Sequence, residues 1–209
     1  MALFLDSSEN SLSDSSGKRF YPEERCWQSR ARTVSTNREI TLQEAVRWLQ
    51  KKSGVPCRIP VAVIGGRQAS TVQMDTAEKI GAGLGEMGLT LICGGREGIM
   101  QAACKGARRF NGMTIGLLPD ADPALANPYI TVPIATGIGV ARNALIARAA
   151  LCLIAIGGGH GTLSEAAFGL QFEKAVFILA DGPQIKGVHL CNDLSEVLDG
   201  VARTVLALS

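Results

Sequence analysis

From Pro60 onward, short runs of continuous apolar residues alternate with stretches whose apolar positions recur at helical spacing. The apolar runs predict strands at Val61–Ile64, Leu89–Cys93, Met113–Leu118, Tyr129–Pro133, Leu151–Ile156 and Val176–Leu179. Between them the spacing predicts five helices. One is capped at Asp75-Thr-Ala-Glu78 and runs to about Met87, and one spans about Gly98 to Arg109, closed by the turn pair Asn111-Gly112. Two more cover Ala141–Ala150 and Thr162–Lys174, and the last follows a cap at Asp193-Leu-Ser-Glu196. Strands without polar alternation are buried on both faces, which calls for a parallel sheet with helices on either side. The expected fold is therefore α/β: a doubly wound, mostly parallel, Rossmann-like sheet with an N-terminal extension.

The pattern before Pro60 is different. Residues 1–59 read as polar and irregular, with SSENSLSDSS as a low-complexity stretch, and residues 5–17 are expected to lie loosely on the surface. One helix stands out at about 41–52. Thr41 and Glu44 form a capping box, and Leu42, Ala45, Val46 and Leu49 follow at helical spacing. Trp27 and Trp48 add apolar area that a solvated tail would not carry, so this helix is expected to dock on the main domain or across a dimer interface. The division is thus 1–59, extension, and 60–209, Rossmann-like domain, with Gly54-Val-Pro56 as linker.

Composition narrows the partners. A formal net charge of +2 gives no dense basic face, so nucleic acid is not an expected partner. No apolar run reaches membrane-spanning length, and the first residues lack a basic n-region, so no membrane is expected and the expected location is cytoplasmic. The six cysteines form no C-x-x-C pair, and no metal site is expected.

Glycine is the anomaly, with 24 in clusters. Gly65-Gly66, Gly94-Gly95 and Gly157-Gly158-Gly159 each follow a predicted strand, so all three fall on the carboxyl edge where such sheets bind ligands. The string Gly157-Gly-Gly-His-Gly-Thr-Leu-Ser-Glu165 runs from strand into helix. Its backbone amides and helix dipole make an anion cradle, with the Thr162 hydroxyl as an added donor. No Gly-Lys-Ser/Thr follows, so it is not a Walker loop. Gly94-Gly-Arg-Glu-Gly-Ile-Met100 repeats the strand-to-helix placement on the same sheet edge. Phosphate-binding residues are therefore expected among Gly65, Gly66, Gly94, Gly95, Gly98, Gly158, Gly159, His160, Gly161 and Thr162. The competing reading for each glycine is close packing of strand on helix.

These two ordered motifs resemble the Lonely Guy (LOG) family, long labelled lysine decarboxylases, whose sister branch holds the molybdenum cofactor carrier proteins. The resemblance covers about residues 60–205. It is nearest the carrier-like branch through Val63-Ile-Gly-Gly66, Gly139-Val-Ala-Arg-Asn143 and Ile154-Ala-Ile-Gly-Gly-Gly159. It implies a small phosphate-bearing ligand, either molybdenum cofactor or a nucleotide, with no further cofactor required, in a homodimer or larger assembly. LOG proteins cleave the base from nucleoside 5′-monophosphates, so for a hydrolase the resemblance carries catalytic roles to Arg142 and Glu165. Here the family's proline is Gly157, and Arg142 lacks the flanking glutamate and lysine, which tilts the reading toward binding. No lysine stands where a pyridoxal phosphate Schiff base would form, which argues against lysine decarboxylation. A nucleotide-sensing regulatory protein is the third reading.

Overall fold

The computed structural model describes residues 1–29 and 37–208. The chain divides into two units, one of residues 1–57 with 199–209 and one of residues 58–198.

The first unit corrects the expectation of an irregular extension. It holds a five-stranded antiparallel sheet of β1 (Leu3–Asp6), β2 (Ser11–Asp14), β3 (Lys18–Tyr21), β4 (Cys26–Ser29) and β5 (Asn37–Ile40), ordered β4-β3-β2-β1-β5. Residues 5–17 are part of this sheet, and Leu12 is fully buried. The serine-rich stretch is turn chemistry. The Asp6 carboxylate accepts from the Ser8 amide and hydroxyl, and Asp14 repeats this with Ser16 and the Lys18 amide. Asn10 (φ 48°) and Gly17 (φ 87°) supply the left-handed residue that reverses each chain. Four-residue strands that alternate Ser with Leu do not announce themselves by hydrophobicity.

Helix α1 (Leu42–Lys51) starts at the expected box, with the Glu44 amide donating to Thr41 Oγ1 at 3.1 Å and the Thr41 amide to Glu44 at 2.9 Å. It buries Ala45, Val46, Trp48 and Leu49. Asn10 ties it to the first hairpin, accepting from Trp48 Nε1 at 2.7 Å and donating to the Lys52 carbonyl at 2.8 Å. Trp27 Nε1 donates to the Leu206 carbonyl at 2.7 Å within the same unit.

The second unit is a seven-stranded parallel sheet. In chain order it has β6 (Val61–Gly65), α2 (Thr71–Met87), β7 (Leu91–Cys93), α3 (Ile99–Arg108) and β8 (Thr114–Leu118). Then come β9 (Val132–Ala135), α4 (Asn143–Ala149), β10 (Leu153–Ile156), α5 (His160–Gln171), β11 (Val176–Leu179), β12 (His189–Leu190) and α6 (Leu194–Val205). Residues of α6 from Asp199 onward belong to the first unit. The strand order β12-β11-β10-β6-β7-β8-β9 reverses direction of growth after β9, as in doubly wound folds. The core includes Ala62, Ile64, Ile92, Leu153, Ala155 and Ile178 from the sheet, with Ile146, Ala147 and Ala166 from the helices. Thus the α/β, doubly wound Rossmann-like sheet is present, and β12 is an edge strand too short for an apolar pattern to reveal.

Several boundaries differ from the sequence reading. Helix α2 begins one turn early, at a capping box of Ser70 and Gln73, while Asp75 pairs with Lys79 at 2.6 Å. Strand β9 lies three residues later than Tyr129. The segment before α4 is a 3-10 turn, Gly139–Arg142. Among the described residues, no helix is long and apolar enough to cross a membrane.

Candidate functional site

Strands β10, β6 and β7 are neighbours in register, with Ile156 opposite Gly65. Their carboxyl ends therefore deliver the three glycine clusters side by side, and Gly66 lies against Gly158.

The two longer glycine loops then part ways. Around Gly94–Met100 the backbone is taken up by protein. The Gly95 carbonyl accepts from the Asn127 amide at 2.8 Å, the Arg96 carbonyl from Asn127 Nδ2 at 3.0 Å, and the Gly66 carbonyl from the Ile99 amide at 3.1 Å. Gly98 has φ 72°, and a Cβ there would stand 2.3 Å from the Arg67 carbonyl. A Cβ on Gly65 would stand 2.5 Å from Ile99, and one on Gly94 2.3 Å from the Arg142 guanidinium. Gly95 (φ 73°) is pressed against Leu118. Arg96 is tied down by Asp120 at 3.3 Å and the Leu125 carbonyl at 3.1 Å, whereas Arg67 is exposed.

The loop after β10 is open. Gly157 (φ 52°) packs on Gln73 and Gly158 (φ 105°) on Thr162, so these two bends require glycine. Beyond them Gly158, Gly159, His160 and Gly161 are exposed, and a Cβ on Gly159 would meet nothing within 4 Å. The first intrahelical bond of α5 runs from the Leu163 amide to the Gly159 carbonyl at 2.9 Å. The amides of His160, Gly161 and Thr162 precede that bond, so the helix offers them no acceptor. Thr162 is buried, with its hydroxyl beneath Gly158.

Beside this loop lies a buried charge pair. The 3-10 turn carries Arg142 against the carboxyl edge, where Nη1 donates to Glu165 Oε1 at 3.1 Å and to Asn143 Oδ1 at 2.8 Å. Arg142 is 8% exposed and Glu165 6%. Burial pushes the Glu165 carboxyl up to about 7 against the opposing pull of Arg142, and burial lowers the Arg142 pKa from its usual value. Both shifts point toward the neutral forms, so the attraction between the two does not fully offset their removal from water. Arg142 Nε is buried without a partner.

Asn143 links the pair to the open loop, its Nδ2 donating to Ser164 Oγ at 3.0 Å and the Gly161 carbonyl at 3.4 Å. Ser164 Oγ donates in turn to the Gly161 carbonyl at 2.7 Å. Asn143, Ser164 and Gln73 were given no role from sequence, although Asn143 stands in the Val-Ala-Arg-Asn string and Gln73 completes a Ser-x-x-Gln box. Near the pair, Cys93 and Cys104 bring their sulfurs to 3.6 Å as free thiols.

Against known proteins, the second unit finds relatives along nearly its whole length. The chain is 34% identical over 139 residues to an uncharacterised protein of Archaeoglobus fulgidus, covering 66% of this chain and 91% of that one. The structure is similar to the molybdenum cofactor carrier protein of Chlamydomonas reinhardtii, with 30% identity and TM-score 0.65 over 72% of this chain and all of that one. It is also similar to the molybdenum cofactor binding protein of Rippkaea orientalis, with 30% identity and TM-score 0.58 over 71% and 86% of the two chains. Residues 58–201 match the SLOG cluster4 family, more than half of the sequence, and the chain belongs to that family.

Proposed function

We propose that this protein binds a small phosphate-bearing ligand at the start of α5 and serves as a molybdenum cofactor carrier. The carrying observation is the pairing of the amides that α5 leaves free at exposed His160 and Gly161 and at buried Thr162 with a buried guanidinium that keeps one donor unspent. An anion set there meets the positive end of the α5 dipole, the loop amides, and the field of Arg142. The similarity to two proteins described as carrying or binding molybdenum cofactor supports that cofactor's pterin phosphate as cargo. In this reading Glu165 holds Arg142 in place, and Asn143 and Ser164 fix the loop against it.

The deciding experiment is mass spectrometry of small molecules released from protein purified from a host that makes the cofactor. A pterin phosphate at near-stoichiometric amount is the expected result, diminished in Thr162→Ala. Protein that releases no phosphate-bearing molecule, and that binds neither ribose 5-phosphate nor a nucleotide at millimolar concentration, would sink the proposal.

A second reading rests on the Arg142–Glu165 pair itself. A carboxyl held near 7 is suited to proton transfer at neutral pH. That is the requirement of a phosphoribohydrolase, which adds water to the bond between base and ribose and yields free base and ribose 5-phosphate. Adenosine 5′-monophosphate is the test substrate. Base release abolished in Glu165→Gln would promote this reading over the first.

A further inference from the structure

The segment between β9 and α4 carries two apolar side chains that the fold does not use. Val140 is 82% exposed and Ile138 51%. Ile138 sits between left-handed glycines, Gly137 (φ 66°) and Gly139 (φ 61°), Val140 follows the second, and a Cβ on Gly139 would meet nothing within 4 Å. Backbone bonds pin the segment across the carboxyl end of β8. The Gly137 amide donates to the Asp120 carbonyl at 3.0 Å and the Gly139 amide to the Pro119 carbonyl at 2.9 Å.

The direction of Val140 follows from the geometry of the 3-10 turn. Residues three apart are eclipsed in such a turn, and the Asn143 amide closes onto the Val140 carbonyl. Val140 therefore stands on the same face as Asn143, whose side chain reaches the Gly161 carbonyl at 3.4 Å. Three residues of 3-10 rise separate them, about 6 Å. Asn143 in turn touches the anion loop, so Val140 stands within the length of a mononucleotide or phosphorylated pterin of that loop. An apolar side chain open to solvent, on the face whose Asn143 reaches the anion loop, has the position of a ring support.

We infer that Val140, flanked by Ile138, is the platform on which the ring system of the phosphate-bearing ligand rests, distinct from the amide cradle that holds its phosphate. The inference rests on the phosphate site proposed above. It assigns ring discrimination to the 3-10 turn and anchoring to the α5 start. The apolar stack selects a flat heteroaromatic ring over a bare sugar phosphate, and Arg142, two residues on, marks the boundary between the two subsites.

The test compares ligands that share phosphate and ribose and differ in the ring. Guanosine 5′-monophosphate carries the amino-oxo pyrimidine edge found in pterins, adenosine 5′-monophosphate carries another ring, and ribose 5-phosphate carries none. Calorimetric titration of the full chain should show at least one nucleotide binding about tenfold tighter than ribose 5-phosphate. Val140→Asn should erase that advantage while leaving ribose 5-phosphate affinity within about twofold, with Val140→Leu retaining it. Either nucleotide advantage surviving intact in Val140→Asn overturns the platform, as does its absence from the parent protein. A change of mass in solution on Val140→Asn also overturns it, because the face would then belong to an interface between copies. Failure of the parent protein to bind ribose 5-phosphate at all removes the phosphate site itself, and the platform with it.

Discussion

The loops Gly94–Met100 and Gly157–Glu165 are both rich in glycine, follow strands that flank β6, and open onto the same edge, but their glycines answer to different demands. In the first, glycine is needed because protein backbone and side chains come within 3 Å of where a Cβ would be. In the second, Gly157 and Gly158 serve that same purpose, whereas Gly159 and Gly161 face open space. A glycine cluster by itself therefore does not distinguish packing from ligand approach. What distinguishes them is whether the room beside the missing Cβ is filled and whether the amides are already spent.

The largest effect expected from this contrast is on stability. Gly98→Ala forces a side chain into a left-handed residue and against the Arg67 and Gly66 carbonyls, both backbone atoms that cannot swing aside. Strain and overpacking together should cost about 3 kcal/mol or more, read from the midpoint of denaturant unfolding. A loss below about 1 kcal/mol would show the loop to be looser than its contacts imply.

Next in size is a pH effect at the charge pair. The folded-state pKa of Glu165 is raised, so the folded protein holds its proton more tightly than the unfolded chain does. Its contribution then turns unfavourable as pH climbs from about 4.5 to about 7, by on the order of 3 kcal/mol, and is constant above that. Glu165→Gln should flatten this part of the stability profile. Identical profiles for parent and variant would mean that Glu165 titrates as an ordinary carboxyl.

Smaller effects separate binding from folding. Thr162→Ala is expected to weaken ribose 5-phosphate binding by about 1–2 kcal/mol in calorimetric titration, the size of a hydrogen bond to a charged group. Affinity equal to the parent's would remove the hydroxyl from the site. Smallest of all, Gly161→Ala should leave stability unchanged or raise it by up to about 1 kcal/mol, since alanine favours a helix and the site has room. The same methyl should lower affinity for the phosphate ligand. A destabilised Gly161→Ala would place this loop in the same class as the first.

The sheet and its helices were legible because buried parallel strands write themselves as unbroken apolar runs, as Leu153–Ile156 and Val176–Leu179 do. The first unit was not. Its strands are four residues long, and Asp6 and Asp14 are buried polar groups satisfied within tight turns, so their chemistry reads as low complexity. In the site, strand-end position pointed to all three glycine clusters and resemblance pointed to Arg142 and Glu165. Which glycines face protein was invisible, because close approach depends on residues far away in sequence, such as Asn127 against Gly95. Asn143 went unassigned for the same reason: its partners are 18 and 21 residues on.

The placement of Arg142 carries an evolutionary consequence. It is the N-cap residue of α4, where serine, threonine, aspartate or asparagine would satisfy a free amide, and it makes no side-chain cap. Its positive charge faces the positive end of that helix, and its burial obliges the chain to bury Glu165 as well. Thermal robustness alone thus favours losing the arginine and the glutamate together, replaced by a short cap and an apolar neighbour. A lineage drifting under selection for stability only would be expected to shed this pair early, while keeping Gly65 and Gly98, whose neighbours forbid change.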